Sequence, residues 1–157
     1  MVVTELINKA RERNIKFACA ESCTGGLVGA ELTEIPGSSD VFNGSAVTYS
    51  NEAKQDILGV SKETLKNFGA VSEQCAAEMA NGALRIYRAD LAISITGIAG
   101  PDGGSESKPV GTVCFGVATH DKTFTFTQHF SGTRREIREA SVQTAISKIE
   151  SFLQSIH

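Results

Sequence analysis

Apolar positions along this chain repeat with two different periods, and each period predicts its own kind of element. Over residues 3–13, Leu6, Ile7 and Ala10 fall at the three-to-four spacing of a helix with one buried face, and residues 16–20 then read as a short strand. The pair Gly25-Gly26 separates that strand from a second helix, and Pro36-Gly37-Ser38-Ser39 forms a loop before another strand over 44–49. Three helices are predicted next, over 51–58, 61–68 and 72–87, with Gly59 and Gly69 as the stops between them. Residues 90–96 are almost entirely apolar, the composition of a strand buried on both faces. Two further strands, over 110–119 and 122–130, are joined by His120-Asp121 and read as a β-hairpin at one side of a sheet. A last helix opens at Thr133, where Glu136 completes a capping box, and its stripe runs through Ile137, Ala140, Val142, Ala145, Ile146, Ile149 and Leu153. The fold class is α/β, and residues 1–157 read as a single domain without repeats.

Composition narrows the setting. With 157 residues, 41% hydrophobic and 21% charged, the chain is long enough for one substantial core. Its longest uncharged stretch, residues 91–101, is too short to cross a bilayer, and Glu5 sits where a signal peptide would be apolar. A cytoplasmic protein with no membrane partner is expected. Four cysteines without CxxC spacing and three scattered histidines predict reduced thiols and no structural metal, and no cofactor is expected, since the glycine-rich loops lack nucleotide-cofactor spacing. A net charge of −3 without a basic run argues against a nucleic-acid partner and leaves a small molecule as the ligand.

The candidate chemistry lies at glycine-rich turns that follow strands. In Ala20-Glu21-Ser22-Cys23-Thr24-Gly25-Gly26, a hydroxyl and a thiol precede a helix start, whose unpaired N–H groups and positive dipole end suit a phosphate or a developing oxyanion. A second loop, Thr96-Gly97-Ile98-Ala99-Gly100-Pro101-Asp102-Gly103-Gly104, has neither the Gly-Lys-Ser/Thr ending of a P-loop nor the GxGxxG spacing of a dinucleotide fold. The third element, Thr48-Tyr49-Ser50-Asn51-Glu52-Ala53-Lys54, puts a phenol at a strand end and an amine in the first turns of a helix. The dipole disfavours the lysine's charge there, and burial would lower its pKa toward that of a base able to deprotonate a serine. Each residue also has a plainer reading. Ser22 could cap the second helix, Cys23 could be the attacking group or a small buried residue, Tyr49 could anchor the sheet, and Lys54 could be solvated. Arg134 and Arg135 stand in the first turn of the last helix, where an anion would offset their charge, while Arg138 could pair with neighbouring glutamates.

Five segments together carry a family resemblance: residues 20–26, Val47-Thr48-Tyr49-Ser50-Asn51-Glu52-Ala53-Lys54, Gly69-Ala70-Val71-Ser72, residues 96–104 and Lys108-Pro109-Val110-Gly111-Thr112-Val113. In this order they resemble the CinA C-terminal domain family, which includes nicotinamide mononucleotide deamidases, over nearly the whole chain. The resemblance implies a three-layer α/β/α sandwich with a mixed sheet of about five strands, and a metal-free hydrolase that converts the mononucleotide to nicotinate mononucleotide and ammonia. It makes Ser22 the nucleophile, Lys54 its base and Tyr49 a hydroxyl that assists proton movement. Thr24, Gly25, Gly26, Thr96, Gly97 and Gly100 would form the turns that hold the substrate, and Arg134 and Arg138 would face its 5′-phosphate. A homo-oligomer, as a dimer, is a further expectation, with a nucleotide substrate as the partner. Two other functions stay open: a regulatory module without catalysis, and an amidase acting on another phosphorylated carboxamide.

Overall fold

Five strands form one mixed sheet in the order β2-β1-β3-β4-β5, in a computed structural model that describes residues 2–155. Strand β1 (Phe17–Glu21) runs parallel to both β2 (Phe42–Val47) and β3 (Leu91–Gly97). Strand β4 (Thr112–Thr119) is antiparallel to β3 and to β5 (Thr123–His129). The expected hairpin is present, closed by the Thr119 N–H donating to the Lys122 carbonyl at 2.8 Å.

Helices cover both faces. One face carries α1 (Val2–Glu12), α2 (Leu27–Thr33) and α6 (Arg134–Ser155), packed on Phe17, Cys19, Ile93, Ile95, Val113 and Phe115. The other carries α3 (Asn51–Leu58), α4 (Lys62–Phe68) and α5 (Glu73–Ile86), packed on Ala20, Ala46 and Ala92. This is the three-layer sandwich and mixed sheet that the family resemblance implies.

The two faces differ in side-chain size, and that difference sets how closely the helices approach. Alternation along β3 and β4 puts Ile93, Ile95, Val113, Phe115 and Val117 on one side, and Ala92, Ser94, Gly116 and Ala118 on the other. A Cβ at Gly116 would lie 2.4 Å from the Ala76 carbonyl oxygen, so α5 rests on bare backbone there. In turn α3 rests on α5: a Cβ at Gly82 would lie 2.2 Å from the Leu58 oxygen. Small residues thus bring α3, the helix that carries Lys54, down onto the sheet edge.

Capping follows the sequence closely. Ser50, Ser61 and Ser72 each accept the N–H three residues on and so precede α3, α4 and α5 as caps. At α6, Thr133 Oγ1 accepts the Glu136 N–H at 3.2 Å while Glu136 Oε1 accepts the Thr133 N–H at 2.9 Å, the reciprocal capping box. Strand β2 departs from expectation at both ends. It begins earlier, at Phe42, whose ring packs 5.6 Å from that of Phe17. Gly44 lies inside the strand rather than opening it, and a Cβ there would strike the Tyr87 ring at 2.5 Å. Strand β2 ends at Val47 rather than Tyr49, because the carbonyls of Thr48 and Tyr49 turn toward Lys54.

Candidate active site

Ser22 stands one residue past the end of β1, where the chain leaves the sheet. Its N–H still donates to the Ile95 carbonyl at 2.9 Å, which ties it to β3. Alternation sends the preceding residue, Glu21, toward α2 and Ser22 toward α3. The chain then turns through Gly25 and Gly26, at φ +59° and +104°, a left-handed conformation that glycine adopts without strain. The Gly25 N–H closes the turn on the Ser22 carbonyl at 3.1 Å.

The plainer reading of Ser22 as a helix cap does not hold. The residue at the cap of α2 is Gly26; the Leu27 N–H donates to the Thr24 carbonyl, and the neighbouring N–H groups are taken by the Glu21 carboxylate. It accepts from Gly26, Val28 and Gly29 at 3.2, 3.0 and 3.1 Å, and from the Thr24 and Ser45 hydroxyls at 2.6 Å each. With the helix start satisfied by Glu21, the Ser22 hydroxyl is left to Lys54.

Lys54 is only 1% exposed, and its ammonium nitrogen has three partners. Nζ lies 2.9 Å from Ser22 Oγ, 2.9 Å from the Thr48 carbonyl oxygen and 3.0 Å from that of Tyr49. Carbonyls only accept, so two of the amine's N–H groups are committed to them. The remaining tetrahedral position faces Ser22: it is an N–H donor when the amine is charged and a lone pair when it is neutral. Burial pushes the Lys54 pKa down from its ordinary value of 10.5, because the charged form loses its hydration. No carboxylate pairs with it among the described residues. The geometry therefore holds a nearly buried serine (7% exposed) against an amine biased toward its proton-accepting form. Cys23 is a poor rival nucleophile, since burial raises its thiol pKa to about 11 and keeps it protonated near neutrality.

Ser22, Tyr49, Lys54, Thr96, Gly97 and Arg134 line one cavity of about 180 Å³. Tyr49 is 64% exposed, and its hydroxyl accepts from Arg134 Nη2 at 3.2 Å. It is the Tyr49 backbone carbonyl that meets the lysine. Arg134 also donates to the Gly100 carbonyl at 2.7 Å, which fixes its guanidinium between the second glycine loop and Tyr49. Thr96 Oγ1 is engaged with the Ala70 carbonyl at 2.9 Å.

Five other residues singled out by sequence lie outside the lining of this cavity. Thr24 is fully buried and bonded to Glu21, while Gly25 and Gly26 shape the turn behind Ser22. Gly100 packs against Val110, which a Cβ would strike at 2.4 Å. Arg138 is directed at the turn's backbone rather than into the cavity: Nε donates to the Cys23 carbonyl at 3.0 Å and Nη2 to that of Thr24 at 3.3 Å.

Cys23, weighed above, also lines the cavity, and Asn51, Ala70, Val71 and Ala99 complete the wall without having been singled out one by one, although each falls in a segment that carried the family resemblance. A larger cavity of about 540 Å³ shares Val71 with it and extends over β4 and β5 past Glu73, Lys108 and His129. Among the described residues, no group of three His, Cys, Asp or Glu side chains is arranged to hold a metal ion, and no helix is long and apolar enough to cross a membrane.

The chain is similar to known proteins over nearly all of its described length. The model of the CinA C-terminal domain matches residues 1–153. A CinA-like protein from Fervidobacterium nodosum is 50% identical over 148 residues, covering 94% of this chain and 36% of that protein. The chain thus spans about a third of the length of such curated relatives. A nicotinamide-nucleotide amidohydrolase PncC from Shigella flexneri is 49% identical over 158 residues, covering 99% of this chain and 96% of that one. Among solved structures, the competence/damage inducible protein CihA from Agrobacterium tumefaciens aligns with a TM-score of 0.93 at 44% identity, over 98% of this chain and 93% of that one.

Proposed function

The chain belongs to the CinA C-terminal domain family, and from that premise we propose that it hydrolyses the carboxamide of a nicotinamide nucleotide, nicotinamide mononucleotide being the substrate expected. The observation that carries this reading is the 2.9 Å contact between Ser22 Oγ and Lys54 Nζ inside a cavity that Arg134 also lines. The PncC relatives named as nicotinamide-nucleotide amidohydrolases supply the substrate class.

The reaction needs a nucleophile, a proton carrier and donors for an oxyanion. Neutral Lys54, its lone pair aimed by the Thr48 and Tyr49 carbonyls, takes the Ser22 proton as Oγ bonds to the carboxamide carbon. The carbonyl oxygen becomes an oxyanion beside the 22–26 turn. Three N–H groups of that turn are already spent, Ser22 on the Ile95 carbonyl, Gly25 on the Ser22 carbonyl and Gly26 on Glu21, so Cys23 and Thr24 are the donors assigned to it. Protonated Lys54 then gives its proton to the departing nitrogen, ammonia leaves, and a nicotinoyl ester remains on Ser22. Water attacks the ester while Lys54 takes its proton. Collapse returns a proton to Ser22 Oγ and frees the carboxylate product.

Arg134 is assigned to the substrate's phosphate, because its guanidinium reaches the cavity from the mouth beside the exposed Tyr49 hydroxyl. A cavity of about 180 Å³ suits the ring and its carboxamide and leaves the ribose phosphate toward that mouth.

The test is ammonia release from nicotinamide mononucleotide by the purified chain, with a chelator present. Turnover is expected in the native chain, with a loss of about 10⁴-fold or more in Ser22→Ala. Binding of the mononucleotide without any ammonia would overturn the catalytic reading in favour of a regulatory module. Release from a different phosphorylated carboxamide alone would reassign the substrate and keep the chemistry.

A further inference from the structure

Arg138 bonds the carbonyls of both residues proposed as oxyanion donors. The only cis peptide bond among the described residues is Gly100-Pro101, so the peptides of the 22–25 turn are trans, and in each the C=O and N–H point in opposite directions. The Cys23 carbonyl shares its plane with the Thr24 N–H. By holding that carbonyl at 3.0 Å on the α6 side, Arg138 Nε aims the Thr24 N–H away from α6.

The second contact acts through one more plane. Arg138 Nη2 holds the Thr24 carbonyl at 3.3 Å, which orients the Gly25 N–H of the same peptide. That N–H donates to the Ser22 carbonyl at 3.1 Å, and the Ser22 carbonyl shares its plane with the Cys23 N–H. The Thr24 carbonyl also accepts the Leu27 N–H at 3.0 Å, so the guanidinium and the first turn of α2 together set three consecutive peptides, and the Cys23 carbonyl is held by Arg138. A hydrogen bond from a charged donor also polarises the amide it binds, which makes the N–H at the far end of that plane a stronger donor. Gly25 belongs to the same device: a Cβ there would lie 3.3 Å from Arg138 Nη2 and would crowd the guanidinium.

We propose that Arg138 is a positioning residue for amide hydrolysis, fixing and polarising the Cys23 and Thr24 N–H groups as the oxyanion site, and that it is not a phosphate ligand. This inference rests on the function proposed above, so its test has one readout that needs no amide substrate. A fluorophosphonate reacts with an activated serine by forming an Oγ–P bond and releasing fluoride, and the oxygen on phosphorus draws on the same N–H donors.

Two variants, Arg138→Met and Arg138→Lys, are compared with the native chain by intact-mass rates of Ser22 phosphonylation and by ammonia release from the mononucleotide and its riboside. Thermal melting confirms that each is folded. The expected result is a loss of about 10²-fold in phosphonylation and in kcat for Arg138→Met, with KM little changed and equal losses on both substrates. Arg138→Lys, which can hold one carbonyl, recovers part of that rate.

Phosphonylation of folded Arg138→Met at the native rate would overturn the inference. So would a loss confined to KM and to the phosphorylated substrate, which would make Arg138 a phosphate ligand. A native chain that is phosphonylated on Ser22 yet leaves the mononucleotide intact would sink the substrate reading, and the phosphonylation rates would still decide the role of Arg138.

Discussion

Glu21 and Lys54 are both charged residues buried at the same edge of the sheet, at 0% and 1% exposure, and they differ in what surrounds the charge. Glu21 faces α2 and accepts from three helix N–H groups and two hydroxyls, so donors surround an acceptor at the positive end of a helix dipole. Lys54, on the other face, meets two carbonyls and one hydroxyl, and among the described residues no carboxylate forms an ion pair with it. A buried carboxylate ringed by donors serves the fold. A buried charge that its surroundings satisfy only in part is easily given up, and that is the property a base requires.

The sharpest break of this comparison is Lys54→Met, which keeps the volume and removes the amine. Turnover should fall by about 10³-fold, the range expected for loss of a positioned base. Stability should change little, by about 1 kcal/mol or less, because relief of the buried charge offsets the loss of a donor to the Thr48 and Tyr49 carbonyls. Near-native turnover in this variant would remove Lys54 from the chemistry.

Glu21→Gln is the opposite case. It turns one acceptor into an NH₂ group facing N–H donors, and should cost about 3 kcal/mol of stability. The urea midpoint should drop without a change in slope, while activity per folded molecule falls far less than in Lys54→Met. An unshifted midpoint would mean that the five bonds to Glu21 contribute nothing net.

The same pair shows how far the sequence could be read. Element types, the α/β class and the α6 capping box follow from periodicity and capping chemistry, both local properties, whereas the sandwich came from the family resemblance. The Ser22, Tyr49 and Lys54 segments were visible as motifs, but their geometry was not, because Ser22 and Lys54 meet across 32 positions through the packing of α3 on α5. Two features hid in plain residues. Glu21 caps α2 from a strand, where no capping pattern looks for it. Arg138, from the other end of the chain, meets a turn 115 residues away, and an arginine beside glutamates gives no sign of two carbonyl partners. The end of β2 was misplaced for a related reason: Thr48 and Tyr49 have strand composition, yet their carbonyls serve Lys54 instead of the sheet.

The smallest effect tests the comparison without any new contact, through pH. If burial lowers the Lys54 pKa, the unfolded chain holds more protons than the folded one between the lowered value and 10.5, so stability rises with pH across that window. Below the folded value the penalty is complete and constant. Lys54→Met lacks this contribution, so any lead it has in melting temperature at neutral pH should shrink as pH rises toward 10.5. The activity of the native chain depends on the neutral amine, so kcat/KM should climb about tenfold per pH unit below the Lys54 pKa and level off above it. The two curves should bend at one pH, since one proton controls both. An activity limb with no matching change in relative stability would assign the titration to another group and leave Lys54, like Glu21, a structural charge.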